Sequence, residues 1–501
     1  MDTPKTTPGG FQGETAADAG AAAAADRCPV DHAADGKTAQ KPAAARPRAV
    51  IPASELPGPR LPALVQIFKY YKAPIGFLEE CRKRYGNRFR LQVRIPAKPM
   101  YVLTEPDDMR QMFLAPPDVL HTGDGSATIE KFTGQTSLAW LDEDEHKVRR
   151  KQLMPTMHGK ALERIEAAID EIAKRHVPTW PCGKITGLHP YAHRLTLEVI
   201  REQVFGGAPP KRWDELADVL TKMFDFNNRM AAGLRIHEMP PWLVRVLRAY
   251  RPNGLDEFLK RRDRADALIA EAVEERRASG YSGDDLLSVL LGITKPDGSP
   301  LSQQELRDEM MTIFIAGTET SASGATWSLE YLSRTPEVLD KLVADIDKGE
   351  DDTYLTAVVY EMLRLRPPIP HLIFREVMKP IEIGGVRYEP GVLLWASAYL
   401  LHHNPAVYPD PYAFRPERFL DTKPGTYSWI PFGGGRIRCL GSEIGLAEMK
   451  SVLREVLSRY ELHRDDPTPE GVRARIVLTL PEKFGRLELR DRTPQPSLAA
   501  D

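Results

Sequence analysis

Ten residues, Phe432 to Gly441 (F-G-G-G-R-I-R-C-L-G), constrain this chain more than any other segment. Gly433, Gly434 and Gly435 permit positive φ and let the backbone approach a flat ligand closely. Cys439 follows where amide N–H groups and the positive end of a helix dipole converge, an arrangement that lowers a thiol's pKa and steadies its anion. The helix itself is read from Met449, Val452, Leu453, Val456, Leu457 and Tyr460, apolar at steps of three and four residues. Turn, thiolate and helix in that order present a sulfur ligand to a metal. Taken alone, an intracellular cysteine is far more often a small buried hydrophobe, so the surrounding motifs carry the argument.

Glu361-Met362-Leu363-Arg364 lies in a helical stretch that ends at Pro367-Pro368, and its Glu and Arg share one helix face. On a surface such a pair is worth under about 1 kcal/mol. Ala316-Gly317-Thr318-Glu319-Thr320 sits inside a longer helix that opens with a capping box, Ser302 with Glu305, and runs to about Arg334. At 1.5 Å per residue that helix spans roughly 45–50 Å and must cross a domain. Glycine costs about 1 kcal/mol at a helix centre and hydroxyls compete for backbone carbonyls, a blemish that often marks function. His146 and Arg150, at i and i+4 in D-E-D-E-H-K-V-R-R-K, fall on one helical face. By composition alone, so charged a run is a solvated face.

Together these segments resemble the cytochrome P450 family. The decapeptide is similar to its heme-binding loop, F-G-x-G-x-R-x-C-x-G, which implies heme b (iron protoporphyrin IX) with Cys439 as axial ligand in a turn built by Phe432, Gly433 and Gly441. One position departs: the loop arginine, usually paired with a heme propionate, is Ile437, with Arg436 and Arg438 on either side. Y-E-M-L-R-L-R-P-P resembles the family's K helix and F-R-P-E-R-F at Phe414 to Phe419 its downstream partner. The resemblance makes Glu361, Arg364 and Arg418 a buried charge cluster supporting the cysteine loop. A-G-T-E-T resembles the I-helix motif A-G-x-[D/E]-T, whose distorted turn opens a groove over the iron beside Ala316. There Thr320 would hydrogen-bond dioxygen and its water, and Glu319 would relay protons from solvent. His146 and Arg150 resemble propionate ligands of the C helix, and Arg375 in H-L-I-F-R matches another. With Ile437 in the loop, these three would carry more of the propionate pairing.

The implied activity is that of a heme-thiolate monooxygenase. Cleaving the O–O bond takes two protons at the distal oxygen, while thiolate donation from the opposite face weakens the bond. An acid and an alcohol shuttle protons without flooding an apolar pocket. Peroxide-using relatives typically lack this pair, so Glu319 with Thr320 favours dioxygen. The nearest alternatives are a heme-thiolate enzyme of coupling or rearrangement and a noncatalytic heme sensor.

The resemblance covers about Pro57 to Arg490 and begins at L-P-G-P-R, similar to the family's proline-rich hinge. It implies a mainly α fold with a small peripheral β-sheet, a triangular helical domain plus a minor β-rich part. One catalytic domain is expected over 51–490, between a disordered Ala/Pro-rich tail over 1–50 and a short C-terminal tail over 491–501. A helix is predicted over 74–85, capped by Gly86. Strands are predicted at Phe89 to Val93, Tyr101 to Thr104, Ile381 to Val386, Val392 to Ala396 and Arg475 to Leu480.

Composition agrees with a large enzyme: 42% of 501 residues are hydrophobic, enough for a sizeable core, and a formal charge of −2 is too balanced to imply nucleic acid. The four cysteines, Cys28, Cys81, Cys182 and Cys439, form no C-x-x-C, which argues against zinc, iron–sulfur or a disulfide framework and for a reducing compartment, the cytoplasm. The Ala21 to Ala25 run is too short and too weakly apolar for a signal peptide or membrane anchor. The expected protein is thus a soluble, bacterial-type monomer with no transmembrane anchor. Cys28-Pro29 with His32 is similar to a heme-responsive motif, although a solvated tail is the reading adopted.

Family resemblance places the substrate pocket at about Leu120 to Trp140, around Phe224 to Trp242, at Ile313 and Ala316, at Ile369 to Ile373 and near Leu480. Met223, Phe224, Phe226, Met230, Met239, Ile313, Ile369, Leu372 and Ile373 make that lining apolar, with His371 as one polar contact. A lipophilic small molecule such as a fatty acid, terpene or steroid fits it. No flavin fingerprint or cysteine cluster follows Cys439, so electrons are expected from a separate ferredoxin or flavodoxin with its reductase. Lys147, Arg149 and Lys151 are expected to steer that acidic partner.

Overall fold

The computed structural model describes residues 50–93, 98–122, 130–224, 255–349, 351–475 and 477–492. Almost all of both expected tails, including Cys28, Pro29 and His32, lies outside them, as do Phe226, Met230 and Met239. The described residues belong to one compact unit, Val50–Asp501. Among them no helix is long and apolar enough to cross a membrane.

The predicted dominance of helix holds. The chain forms α1 (Ala63–Lys72), α2 (Pro74–Tyr85), α3 (Pro106–Phe113), α4 (Glu130–Thr133), α5 (Glu143–Leu153), α6 (Lys160–His176), α7 (His189–Phe205), α8 (Trp213–Phe224), α9 (Leu255–Ser279) and α10 (Leu286–Gly292). There follow α11 (Gln303–Leu332), α12 (Pro336–Lys348), α13 (Thr353–Leu365), α14 (Ala398–His402) and α15 (Ser442–Arg459). Local chemistry sets several ends. Proline occupies the first turn of α2, α3 and α12, where no intrahelical N–H is needed. Ser302 and Glu305 close a reciprocal capping box on α11. Gly86 ends α2 with φ +88.

The peripheral β-structure comprises four small sheets among the described residues. The largest orders β2 (Arg88–Leu91), β3 (Met100–Leu103), β9 (Leu393–Ala396), β6 (Arg375–Val377) and β4 (Leu120–His121) side by side. β1 (Ile51–Pro52), β8 (Val386–Tyr388) and β7 (Ile381–Ile383) form a second, and β10 (Tyr460–His463), β13 (Arg486–Asp491) and β5 (Thr186–Gly187) a third. The strand predicted from Arg475 to Leu480 is divided between two antiparallel strands, Arg475 ending β11 (Val472–Arg475) and Leu478 to Leu480 lying in β12 (Leu478–Pro481), with Arg475 facing Leu478. Its apolar run masks the reversal. Ile381 to Val386 likewise breaks at Gly384 and Gly385, both at positive φ.

Helix α11 is the axis of the core. It packs along α7 and α15 and against β12, and from Ser321 to Leu332 every side chain is buried. Trp327, Leu329 and Leu332 join Met449, Val452, Leu453 and Val456 of α15 in one cluster, while Met310, Met311 and Phe314 join α7 to α10 in another. A helix buried on all sides carries its polar residues into the interior, where each must find a partner.

Candidate functional site

The cysteine loop is folded by its own backbone and by α3. Gly433 N–H donates to Ile430 O at 3.1 Å, Arg438 N–H to Gly435 O at 3.1 Å, and Cys439 N–H to Phe432 O at 3.0 Å. Gly435 has φ +64, and a Cβ there would overlap the carbonyl of Phe113 at the end of α3. Any other residue would thus be both strained and obstructed. Cys439 leads through Gly441, the N-cap, into α15.

The thiol did not come out as the helix dipole suggests. Burial pushes the Cys439 thiol up, against the Gly441 backbone N–H and the charges of Arg150 and Arg438, which pull it down. Cys439 is nevertheless exposed. A metal cation in the proton's place is what would hold a thiolate there.

Beside the loop, four cationic candidates converge. Burial, then Arg150 and Arg436, press the His146 imidazole down to about 4, with Arg375 adding to the effect. Burial, then Arg436, press the Arg375 guanidinium down to about 9, an environment short of negative charge. Arg436 donates through Nη2 to Leu120 O at 2.6 Å and Pro117 O at 3.3 Å. Its Nη1 and the Nη1 of Arg375 are buried with no hydrogen-bond partner among the described residues. Two orphaned guanidinium nitrogens beside a neutral imidazole fit the paired carboxylates of a heme edge. Arg436 directly precedes Ile437, the position at which the loop departs from the family pattern. Arg438 Nη2 lies 3.7 Å from Glu443 Oε1 at the start of α15.

The structure brings the expected charge cluster together. Arg364 Nε and Nη2 lie 2.7 and 2.9 Å from the two oxygens of Glu361, both residues fully buried. Arg418 Nε reaches Glu361 Oε1 at 3.2 Å, and the Arg415 backbone N–H donates to the same oxygen at 2.9 Å. Arg364 also donates to the carbonyls of His402, Pro411 and Ala413. A residue absent from the sequence reading completes the link to the cysteine loop. His402 accepts the Ile430 N–H at Nε2 (2.9 Å), so its proton sits on Nδ1 and is donated to Arg364 O (3.0 Å). Only the fold could reveal it, because 38 residues separate His402 from Arg364.

Across α11, Ala316 is exposed and Ile313 and Thr320 are partly accessible, an i, i+3, i+7 stripe, whereas Phe314, Thr318 and Glu319 are buried. Ser321, the next residue, faces Gly445 of α15, so this stripe and Cys439 lie at the same end of the α11–α15 contact. The expected distorted turn is not present: α11 is continuous α-helix from Gln303 to Leu332. Its hydroxyls bond back one turn, Thr318 to Phe314 O and Thr320 to Ala316 O, each at 2.6 Å. Gly317 serves packing, since a Cβ there would strike Ile200 of α7.

Glu319 faces α7 and β11. Its oxygens lie 3.0 and 3.1 Å from Arg475 Nη1, with His193 Nε2 at 3.2 Å and His189 Nε2 at 3.5 Å. Burial, opposed by Glu319, presses the His189 imidazole down to about 4. The acid and the alcohol, adjacent in sequence, therefore occupy different faces of the helix.

Other expectations need correction. Arg149 is buried and bonded to Glu309 at 2.5 Å and Glu305 at 3.3 Å, so it is no part of a docking surface; Lys147 and Lys151 remain exposed. His371 is buried against Ser397 Oγ at 2.9 Å, with burial pressing it down to about 3. Met223, Phe224 and Leu480 are fully packed rather than lining a pocket.

Residues 56–487 match the sequence model of the cytochrome P450 family. The chain is 33% identical over 436 residues to cytochrome P450 135B1 of Mycobacterium tuberculosis, covering 85% of this chain and 89% of that protein. It is 31% identical over 412 residues to cytochrome P450 137 of the same species, covering 81% and 84%. Among solved structures, the retinoic acid-bound cyanobacterial CYP120A1 superposes with a TM-score of 0.74 at 21% identity, over 89% of this chain and all of that one. The P450DA heme domain gives 0.71 at 21% identity, over 89% and 99%. The chain belongs to the cytochrome P450 family, enzymes of heme b whose general chemistry is heme-thiolate monooxygenation.

Proposed function

We propose that this chain inserts one oxygen atom of dioxygen into a small lipophilic molecule of the fatty acid, terpene or steroid kind. Electrons come from a separate ferredoxin or flavodoxin with its reductase. The reaction is carried by one domain over 51–490, acting as a monomer. The observation that carries the reading is the presence of two buried guanidinium nitrogens with no hydrogen-bond partner among the described residues, Arg375 Nη1 and Arg436 Nη1, together with Cys439 and the accessible stripe of Ile313, Ala316 and Thr320.

When bound, heme supplies the iron that takes up dioxygen and electrons. Cys439 would ligate that iron, in the turn made by Phe432, Gly433 and Gly441. His146, Arg150, Arg375 and Arg436 would hold the propionates, while Arg438, turned to Glu443, would steady the loop. Glu361, Arg364 and Arg418 would keep the loop in place. Along α11 Ala316 leaves room, and Thr320 holds a proton at Oγ1, parked on the Ala316 carbonyl, from which it can rotate into that space. Glu319, held by Arg475, would bring protons inward by way of the neighbouring His189 and His193 imidazoles. Ile313, Ile369, Leu372 and Ile373 are partly accessible and uncharged, which favours a lipophilic substrate.

The reduced protein exposed to carbon monoxide tests this. A strongly red-shifted Soret band, lost in Cys439→Ala, is expected, followed by substrate-induced Soret shifts with fatty acids, terpenes or steroids. A band of histidine or neutral-thiol ligation would overturn the assignment of Cys439.

A further inference from the structure

Residues 134–138, which follow α4, are stitched to the first half of α11 through their polar groups. Asp308, fully buried, receives three donors from this loop on Oδ2: the backbone N–H of Gln135 and of Thr136, each at 3.1 Å, and Thr136 Oγ1 at 2.8 Å. Its Oδ1 is taken by Gln304 Nε2 at 2.6 Å and Arg307 Nη1 at 2.8 Å. Next along the helix, Glu309 Oε1 accepts the Leu138 N–H at 3.0 Å. One turn on from Asp308, Thr312 Oγ1 lies 2.8 Å from Oγ of the buried Ser137. Gly134 makes the approach possible, having φ +72 and no Cβ, which would overlap the Asp308 carboxylate.

Two successive backbone N–H groups on one carboxylate oxygen form charge-assisted bonds, stronger than the neutral bonds of an ordinary turn. Lifting the loop would leave a buried carboxylate with one oxygen unpaired, which is costly. The loop is therefore a fixed wall. It stands close to the accessible stripe of α11: Thr312, which meets Ser137, comes one turn before Ala316, and Leu138 packs on the same cluster of buried side chains as the partly accessible Ile313.

We propose that Asp308, supported by Glu309 and Thr312, is a positioning residue for the substrate: by fixing residues 134–138 against α11 it sets how bulky a molecule can lie along Ile313, Ala316 and Thr320. This rests on the monooxygenase reading, in which that stripe borders the substrate. Asparagine is the informative replacement at Asp308. Whichever way its amide turns, its N–H groups meet either the loop N–H groups or Arg307, and none of these can accept.

The test compares the wild-type holoprotein with Asp308→Asn and with Thr136→Val, which keeps the shape and removes one donor. Amide exchange followed by mass spectrometry reports on the loop, and Soret titrations with imidazole and with the bulkier phenylimidazole report on the space available. Residues 135–138 should exchange slowly in the wild type and about tenfold faster in Asp308→Asn, since charge-assisted bonds are lost. The dissociation constant of phenylimidazole should fall about tenfold in Asp308→Asn while that of imidazole stays within about twofold. Thr136→Val should move the loop exchange and the phenylimidazole constant the same way by about threefold, and it decides the question by itself if Asp308→Asn loses heme. Fast exchange of the loop in the wild type would overturn the clamp. Faster exchange in the variants with both ligand constants unchanged, in protein that shows the thiolate carbonyl band, would overturn the positioning role alone. A wild type without that band would overturn the positioning role together with the catalytic reading beneath it.

Discussion

Arg475 on β11 and Glu319 in the middle of α11 form a buried ion pair, Nη1 lying 3.0 and 3.1 Å from the two carboxylate oxygens. The same guanidinium donates through Nε to Phe224 O at the end of α8, so one side chain ties three elements beside Thr320. Removing the carboxylate leaves a buried cation. Glu319→Gln should therefore cost about 3–5 kcal/mol of stability, and adding Arg475→Met should restore most of it. Denaturant unfolding of the two singles and the double gives the coupling. If Glu319→Gln unfolds with the wild type, the pair is not what holds these elements.

The propionate side makes a separate prediction. A charge-assisted hydrogen bond is worth about 1.5–3 kcal/mol, so Arg375→Leu and Arg436→Leu should each weaken heme retention roughly tenfold to a hundredfold in competition with apomyoglobin. In the heme-free protein His146 should be neutral, because burial, Arg150 and Arg436 press it down to about 4, and the melting profile concerned is that of the heme-free protein. Its folded pKa is depressed, so its contribution is present above about 6.5 and lost as pH falls toward about 4. His146→Gln should flatten the acid limb of the melting profile across that window. A wild-type profile that is already flat there would contradict the placement.

How far the sequence reached can be judged from these residues. The capping box at Ser302, the extents of α2 and α11 and the Glu361–Arg364 pair were legible because each rests on neighbours three or four apart, where geometry is local. Arg475 was not legible as a partner of Glu319. Its segment reads as one apolar strand, and only the hairpin turn brings it to α11. Arg149 and Lys147 look alike in a charged run, yet one turns inward to Glu309 and the other to solvent. That difference depends on how α5 rolls against α11. His402 was invisible for the same reason.

His402 bridges the cluster of α13 to the cysteine loop, so its loss should be felt at the thiolate. His402→Ala strands the Ile430 N–H and the Arg364 carbonyl, at roughly 1–3 kcal/mol for each buried group. The ferrous carbonyl spectrum should lose thiolate character at denaturant concentrations where helical circular dichroism persists. Coincident loss of both signals, as in the wild type, would mean that the loop does not depend on this bridge.

Glu448 offers the sharpest pH test. It lies buried on α15 against Ser321 of α11, one carboxyl oxygen has no hydrogen-bond partner among the described residues, and burial pushes its pKa up to about 8 against the pull of Ser321. The folded value is raised above the unfolded 4.5, so the acid's contribution is complete below 4.5 and is lost as pH climbs through about 8. The slope in that window is at most about 1.4 kcal/mol per pH unit. Glutamine keeps the shape and a donor but cannot ionise. Glu448→Gln should therefore melt close to the wild type at pH 5 and well above it at pH 8.5, the gap widening steadily between. A gap that stays constant with pH would show that Glu448 ionises normally in the folded protein.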